Sequence, residues 1–347
     1  MNKGRSTWIF SILAGIFILA FFGDLLFGSV RLTFKDFLAA LFNESDNSNI
    51  GYIVWSLRLP KAITAILAGS GLAMCGLLMQ TLFRNPLAGP FVLGISSGAS
   101  LGVALLVMAS SWFGGNALVQ VLPYGHWGMV IAAMVGALAV MLFVLLISMR
   151  VADSVSILII GMMFGSATGA IVSLLQYFSD PDTVKSFLVW TFGDISGVTG
   201  PHLKLLAPLV ILGVFAGLII RKPLNALLLG ENHARVIGIN VKRSRIIIIL
   251  ITSLLTGAIT AFTGPIAFIG VAVPHLARAV LRSSDHRLLT PATLMCGAII
   301  MLICDILAQL PAANQVLPIN TVTAIFGAPV VIWVVLRNRR GRTPIES

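Results

Sequence analysis

Charge is what this chain has least of. Asp, Glu, Lys and Arg together make up 10% of its 347 residues, against roughly a quarter in soluble globular domains. So few charges cannot solvate the surface of the one or two soluble domains that the length would otherwise allow. With 58% hydrophobic residues and a mean hydropathy of +1.00, most of the surface must face lipid. Cysteine is scarce too. Cys75, Cys296 and Cys304 all fall in apolar runs with no CxxC or Cys/His spacing, which argues against a disulfide framework or a zinc site and leaves them as small apolar fillers. The chain contains no Gly-Lys dipeptide, so it has no GxxxxGK[ST] phosphate loop, and HExxH and nucleophile-elbow patterns are also missing. No catalytic residue, cofactor or metal is expected, and any nucleotide hydrolysis must come from a partner. Asp24, Asp153 and Asp305 sit at the ends of apolar runs where they can stay hydrated, and no pair of carboxylates is expected within the membrane. That weakens an ion-coupled carrier as a rival reading, as the missing acid/base and metal patterns weaken an integral membrane enzyme.

What is present is a series of apolar runs. A helix crossing about 30 Å of hydrocarbon needs about 20 mostly apolar residues, and ten runs of that kind appear, at residues 9–27, 62–82, 91–109, 129–149, 155–175, 203–220, 246–262, 266–281, 292–308 and 319–336. The expected fold class is therefore all-α, a polytopic membrane protein forming one transmembrane domain over 1–347. The eighth run is short and contains Pro274, His275 and Arg278, which makes its limits the least defined. The first is too long for a cleaved signal peptide and is taken as retained. An even number of spans puts both termini on one side. Of the 23 Lys and Arg, 17 fall on that side and 6 on the other, so both termini are expected in the cytoplasm. The +11 balance is then a topology signal rather than a nucleic-acid footprint.

Three connections are long. Residues 28–61 form an external loop with a polar stretch at 43–49. Residues 179–202, also external, suggest a short amphipathic helix over 183–192 broken by Gly193 and Gly197. Residues 221–245 form a cytoplasmic loop mixing helix formers with Gly230 and Gly238. Gly161, Gly165 and Gly169 fall at four-residue steps in the fifth span, and Gly94, Gly98 and Gly102 do so in the third. Such stripes let backbones pack closely or line a passage. Gly89-Pro90 and Gly264-Pro265 each precede a span, from opposite sides; an inverted repeat would produce this, and so would chance in a Gly/Pro-rich chain. His275 and Arg278, three apart, share a helix face, as a gate or as ordinary interhelical bonding. His126, His202, His233 and His286 receive no role.

Five stretches together resemble the iron-complex/siderophore (FecCD-type) permease family of ATP-binding-cassette importers, which includes the cobalamin importer permease. They are Arg58-Leu59-Pro60-Lys61 running through Gly69 and Gly71 to Met79-Gln80; Arg84-Asn85-Pro86-Leu87-Ala88 with Gly94-Ile95-Ser96-Ser97-Gly98-Ala99; Leu229-Gly230-Glu231 through Ala234, Gly238 and Val241 to Arg245; Gly264-Pro265-Ile266 with Phe268-Ile269-Gly270 and Pro274-His275; and Leu317-Pro318 with Thr323 and Gly327-Ala328-Pro329. The resemblance implies a type II importer permease with ten spans in the bacterial cytoplasmic membrane. Its partners would be a second permease subunit, identical or a close paralogue, a cytoplasmic ATPase dimer and an extracytoplasmic substrate-binding protein. It further implies an ATPase-coupling loop at 221–245 carrying Gly230, Glu231, Ala234 and Gly238. Arg58 and Lys61 would receive acidic groups of the binding protein, and a pathway and gate would be formed by Asp153, Ser154, Ser156, Gly161, Gly165 and Gly169. Where members of the family often have a further Arg, this chain has Gln309, and Val316 and Asn320 replace the usual Glu and Gly around Leu317-Pro318. The implied solute is an iron–siderophore or related metal chelate, with cobalamin and haem as alternatives within the family.

Overall fold

A computed structural model describes residues 3–28, 30, 33–41, 48–108, 126–151, 153–310 and 316–340. Most of the polar stretch at 43–49 and the end of the third expected span, residue 109, lie outside the described residues. The described chain is helical, in the order α1 (Lys3–Leu26), α2 (Phe34–Leu41), α3 (Ser48–Tyr52), a π-helical turn (Ile53–Arg58), α4 (Leu59–Leu82), a 3₁₀ turn (Pro90–Leu93), α5 (Ile95–Met108), α6 (His126–Arg150), α7 (Ser154–Tyr177), α8 (Pro181–Thr191), α9 (Gly200–Ile219), α10 (Arg221–Leu228), α11 (Glu231–Val236), α12 (Val241–Thr263), α13 (Ile269–Leu281), α14 (His286–Gln309) and α15 (Ile319–Arg340). Among the described residues, seven helices are long and apolar enough to cross a membrane, and the other three expected spans fall on shorter apolar helices in α5, α13 and α15.

Burial separates these helices into an inner and an outer set. The α4, α12 and α14 segments are mostly buried, whereas in α1, α6, α7 and α9 at most 28% of the residues are, which leaves their apolar surface for lipid or a partner subunit. Small residues bring the inner helices together: a Cβ on Gly69 would collide with the backbone of Gly297, and one on Gly297 with the backbone of Gly69. This is the close backbone approach that compensates for the weak hydrophobic drive between helices in lipid. The same device joins α5 to α6, where Gly98 and Gly102 face Gly136 and Ala132, so that stripe serves packing. Cys75, Cys296 and Cys304 are buried and free.

Two expected spans begin with a break instead of a helix. Gly94, at φ +74°, separates the 3₁₀ turn from α5, and Gly264, at φ +68°, ends α12 and starts an irregular segment that lasts until α13. Irregular backbone at membrane depth needs its polar groups satisfied by protein. Asn320 Oδ1 accepts from Ala267 N–H at 3.0 Å, and Thr263 O accepts from Asp194 N–H at 2.8 Å. The Asn320 departure from the family pattern thus has a structural task. The loop expected at 28–61 is largely helical. The second span's helix extends back through the π turn to Asn49, because the run of Ile53, Val54, Trp55 and Leu57 is apolar enough to continue it. The amphipathic helix expected near 183–192 is α8, capped by Asp180, whose side chain accepts from Thr183 N–H at 3.0 Å.

Candidate functional site

The 221–245 loop folds into a helical hairpin. Gly230, at φ +109°, turns the chain from α10 into α11, and Gly238, at φ +84°, turns it back toward α12; both values lie where a side chain is strained. Ala234 is fully buried at the hairpin's base, where its carbonyl accepts from Ile239 N–H at 2.9 Å. Leu229, Val236 and Ile237 point outward, with Val236 85% exposed. The result is a hairpin whose outer surface sets Leu229, Val236 and Ile237 among exposed Arg221, Lys222, Asn232, His233 and Arg235.

Two polar links tie this hairpin to the spans. In the first, Asn225 of α10 donates to Asp285 Oδ1 at 2.7 Å and accepts from His286 N–H at 2.9 Å. His286 Nδ1 also lies 2.9 Å from Asn225 Oδ1, which makes it the donor there, and leaves Nε2 facing the Thr81 hydroxyl of α4 at 3.0 Å. The backbone N–H of Arg287, followed by the Asn225 side chain, holds the Asp285 carboxyl below the usual carboxylate range. The second link is Arg245, which is buried. It donates to Glu231 Oε1 at 2.8 Å and to the Val151 carbonyl at 3.2 Å, so the hairpin and the α6–α7 turn share one guanidinium. Glu231 also pairs with Arg235 at 3.5 Å. Arg84 stands over the hinge, its guanidinium 3.4 Å from the place a Cβ on Gly230 would occupy.

Beside Val151, Asp153 caps α7, accepting from both the Ser156 N–H and hydroxyl at 2.8 Å. The Ser156 N–H, then its hydroxyl, with a smaller share from the Arg245 charge, keep Asp153 below the usual carboxylate range. The glycines of the α7 stripe do not act alike. Gly161 abuts the backbone of Val92 and Leu93, a Cβ on Gly165 would lie 3.4 Å from Ser97 Oγ, and one on Gly169 would meet open space. Close packing therefore accounts for one end of the stripe and free surface for the other. His275 and Arg278 bond neighbouring segments: His275 Nε2 lies 2.7 Å from the Pro86 carbonyl, and Arg278 donates to Gln80 Oε1 at 2.7 Å.

At the opposite ends of the helices, Arg58 and Lys61 are turned inward. Arg58 is buried and donates to the Leu25 and Leu26 carbonyls at 2.7 Å and to the Val30 carbonyl, so it caps the C-terminus of α1. Lys61 Nζ is 2.8 Å from Asp305 Oδ1. Asp24 and Asp305, expected to stay hydrated, are 3% and 2% exposed and lie close enough for their charges to interact, while Asp24 Oδ1 has no hydrogen-bond partner among the described residues. The interior thus holds a carboxyl pair where none was expected. Packing of α1 on α14 brings the two together, which sequence position does not reveal. Gln309 donates to Asp305 Oδ2 at 3.1 Å, occupying with a neutral amide the position where the family often has Arg.

The comparisons with known proteins follow this layout. The FecCD transport family matches residues 16–337. This chain belongs to that family. It is 33% identical over 317 residues, 91% of each chain, to a hemin transport system permease protein of Yersinia pestis. It is 36% identical over 287 residues to a vitamin B12 import system permease protein of Klebsiella pneumoniae, covering 82% of this chain and 83% of that one. A solved chain described as an inward-facing metal-chelate type ABC transporter superposes with a TM-score of 0.82 at 26% identity, over 95% of this chain and 99% of that one. Membership fixes the class as a membrane-spanning ABC importer permease. Within this FecCD-family chain, sequence reasoning had given no role to Asn225 or His286; their only signal was position, at the two ends of a loop-to-span contact.

Proposed function

We propose that this FecCD-family chain is the permease subunit of an importer that carries a metal chelate, of the iron–siderophore, haem or corrinoid class, across the bacterial cytoplasmic membrane by alternating access. An ATPase dimer would supply the energy, a second permease subunit the other half of the pathway, and an extracytoplasmic binding protein the solute. The chain itself performs no bond chemistry. The observation that carries this reading is the hairpin of α10 and α11, which exposes Leu229, Val236 and Ile237 and is bonded to α14 and to Arg245 of α12, and through them to α4 and the α6–α7 turn. An exposed apolar surface marks a protein contact, and a rigid element with two polar anchors can pass a rigid-body displacement into the spans. The excess of Lys and Arg on the hairpin side makes that side cytoplasmic. In this reading the Asp153–Ser156 turn lies at the cytoplasmic gate, and the α7 stripe of Gly161, Gly165 and Gly169 lines the pathway on its way across the membrane, with Gly169 near the far end. The test is reconstitution with the cognate ATPase and binding protein, with uptake measured against ferric siderophores, haem and cobalamin. ATP-dependent uptake of one of them is expected. Uptake by the chain alone on an ion gradient would replace this reading with a secondary carrier.

A further inference from the structure

Beside α10 lies a cavity of about 660 Å³ whose wall shares Asn225, Leu229 and Ile237 with the hairpin but also carries a cluster of cations that the coupling reading does not use. Arg221 and Lys222 at the start of α10 and Arg287 at the start of α14 stand in its wall, with Asn225, Ile219 and Leu229. All three cations are exposed. No Asp or Glu is among the described residues of that wall, and Asp285, two residues from Arg287, is already engaged by the Asn225 side chain and the Arg287 N–H, so the wall is net positive.

Its depth is set by α9. That helix has 20 residues, about 30 Å at 1.5 Å per residue, which is the thickness of the hydrocarbon. Arg221 and Lys222 follow directly, so they lie in the headgroup layer, and Arg287 stands at the same level. Ile211, Phe215 and Ile219, at four-residue steps on α9, are each at least 60% exposed. This stripe runs down the lipid-facing side of α9 and ends at Ile219, inside the cavity mouth.

We propose that the cavity binds the phosphate headgroup of an anionic phospholipid, with one acyl chain lying along the Ile211–Phe215–Ile219 stripe. The chemistry fits both parts: basic side chains at headgroup depth attract anionic lipid, and the apolar stripe continuous with them suits an acyl chain, which a free phosphate does not have. The proposal requires that α9 spans the bilayer and, because Leu229 and Ile237 also belong to the proposed ATPase-facing hairpin, that the cation side of the cavity stays open to lipid when the ATPase is seated.

The experiment is native mass spectrometry of the permease with its ATPase, in neutral detergent, titrated with phosphatidylglycerol or phosphatidylcholine. Phosphatidylglycerol is expected to be retained in preference, and each of Arg221→Gln, Lys222→Gln and Arg287→Gln should weaken its retention about five-fold. Arg221→Lys with Arg287→Lys should retain it, and Arg5→Gln, Arg150→Gln and Arg243→Gln together, removing as much charge as the triple cavity variant at exposed positions outside the cavity wall, should leave it unchanged. Equal loss in that control would reduce the effect to general attraction and overturn the site. Full displacement by millimolar inorganic phosphate would overturn the lipid in favour of a free anion. Loss of ATPase association by the triple cavity variant with lipid retention unchanged would make the cavity a protein contact instead.

Discussion

Arg245 and Glu231 join two parts of the chain that would otherwise move separately. Their 2.8 Å ion pair holds α11, while the same guanidinium donates to the Val151 carbonyl in the α6–α7 turn. Arg245 is nearly fully buried and Glu231 partly so, so the pair is shielded from the screening that makes exposed pairs nearly worthless. Any displacement of the hairpin must carry the turn along or break this contact.

That geometry predicts the effect of Glu231→Gln. The amide can still accept one hydrogen bond but no longer neutralises Arg245, so the hairpin loosens from the turn without losing its shape. Coupling residues of this kind shift linkage by about 0.5–2 kcal/mol, or roughly two- to thirty-fold. The expected outcome is substrate carried per ATP falling within that range while ATPase association stays intact, with partial recovery in the charge-swapped Glu231→Arg, Arg245→Glu double variant. An unchanged transport-to-ATP ratio in the single variant would show that the pair is merely structural.

Gly230 predicts a different failure. At φ +109° a β-branched residue is strained by about 1–3 kcal/mol, and its side chain would meet the Arg84 guanidinium. Gly230→Val should therefore displace the hairpin itself, and ATPase co-purification should fall together with transport. Gly238 has no atom within 4 Å of its would-be Cβ, so Gly238→Ala should show the backbone strain alone and a smaller loss. If the two variants behave alike, the Arg84 contact contributes nothing.

The spans were legible because crossing hydrocarbon demands apolar length, and length survives in the sequence whatever the helices pack against. The 221–245 connection was legible as helix formers interrupted by Gly230 and Gly238, and its role as a coupling element came from the family resemblance; the positive φ at both glycines shows why the chain turns there. What joins the elements was not. Asn225 and His286 are 61 residues apart, and nothing in either segment names the other. The burial of Asp24 and Asp305 was hidden for a related reason: an acid at a span end can turn out to water or in to a cation, and only the packing of α1, α4 and α14 decides which. The helical character of residues 48–58 was masked because a short apolar run after a polar one reads equally well as loop.

The Asn225–Asp285 contact predicts a pH effect with a definite sign. The Asp285 carboxyl titrates lower in the folded protein than its ordinary value, which is near 4. Its contribution is therefore fully present above that value and is lost as pH falls through the folded one. At neutral pH the contact is intact, worth about 0.2–1 kcal/mol because the site is exposed. Asp285→Asn mimics the acid form, and hydrogen exchange over 221–228 should accelerate by up to about five-fold in it, with α12 unaffected. Equal exchange in both proteins would mean that His286 alone anchors α10.

Lys61 and Asp305 give the sharpest test of the charges at the other end of the bundle. Removing one partner of a buried ion pair leaves the other uncompensated and costs about 3–5 kcal/mol, whereas replacing both by apolar residues is often neutral or stabilising. Lys61→Met should accordingly lower the thermal midpoint in detergent sharply, because Asp305 then shares its pocket with Asp24 and no lysine. Lys61→Met with Asp305→Leu should recover most of the loss, since Asp24 keeps the attraction of Arg58. In the folded fraction of either variant, affinity for the binding protein and its salt dependence should match the parent, because an inward-turned ammonium cannot steer a partner. A single variant that keeps its stability while binding-protein affinity falls more steeply at low salt would mean that Lys61 faces outward in the assembled importer, and would support the docking role expected from the family resemblance.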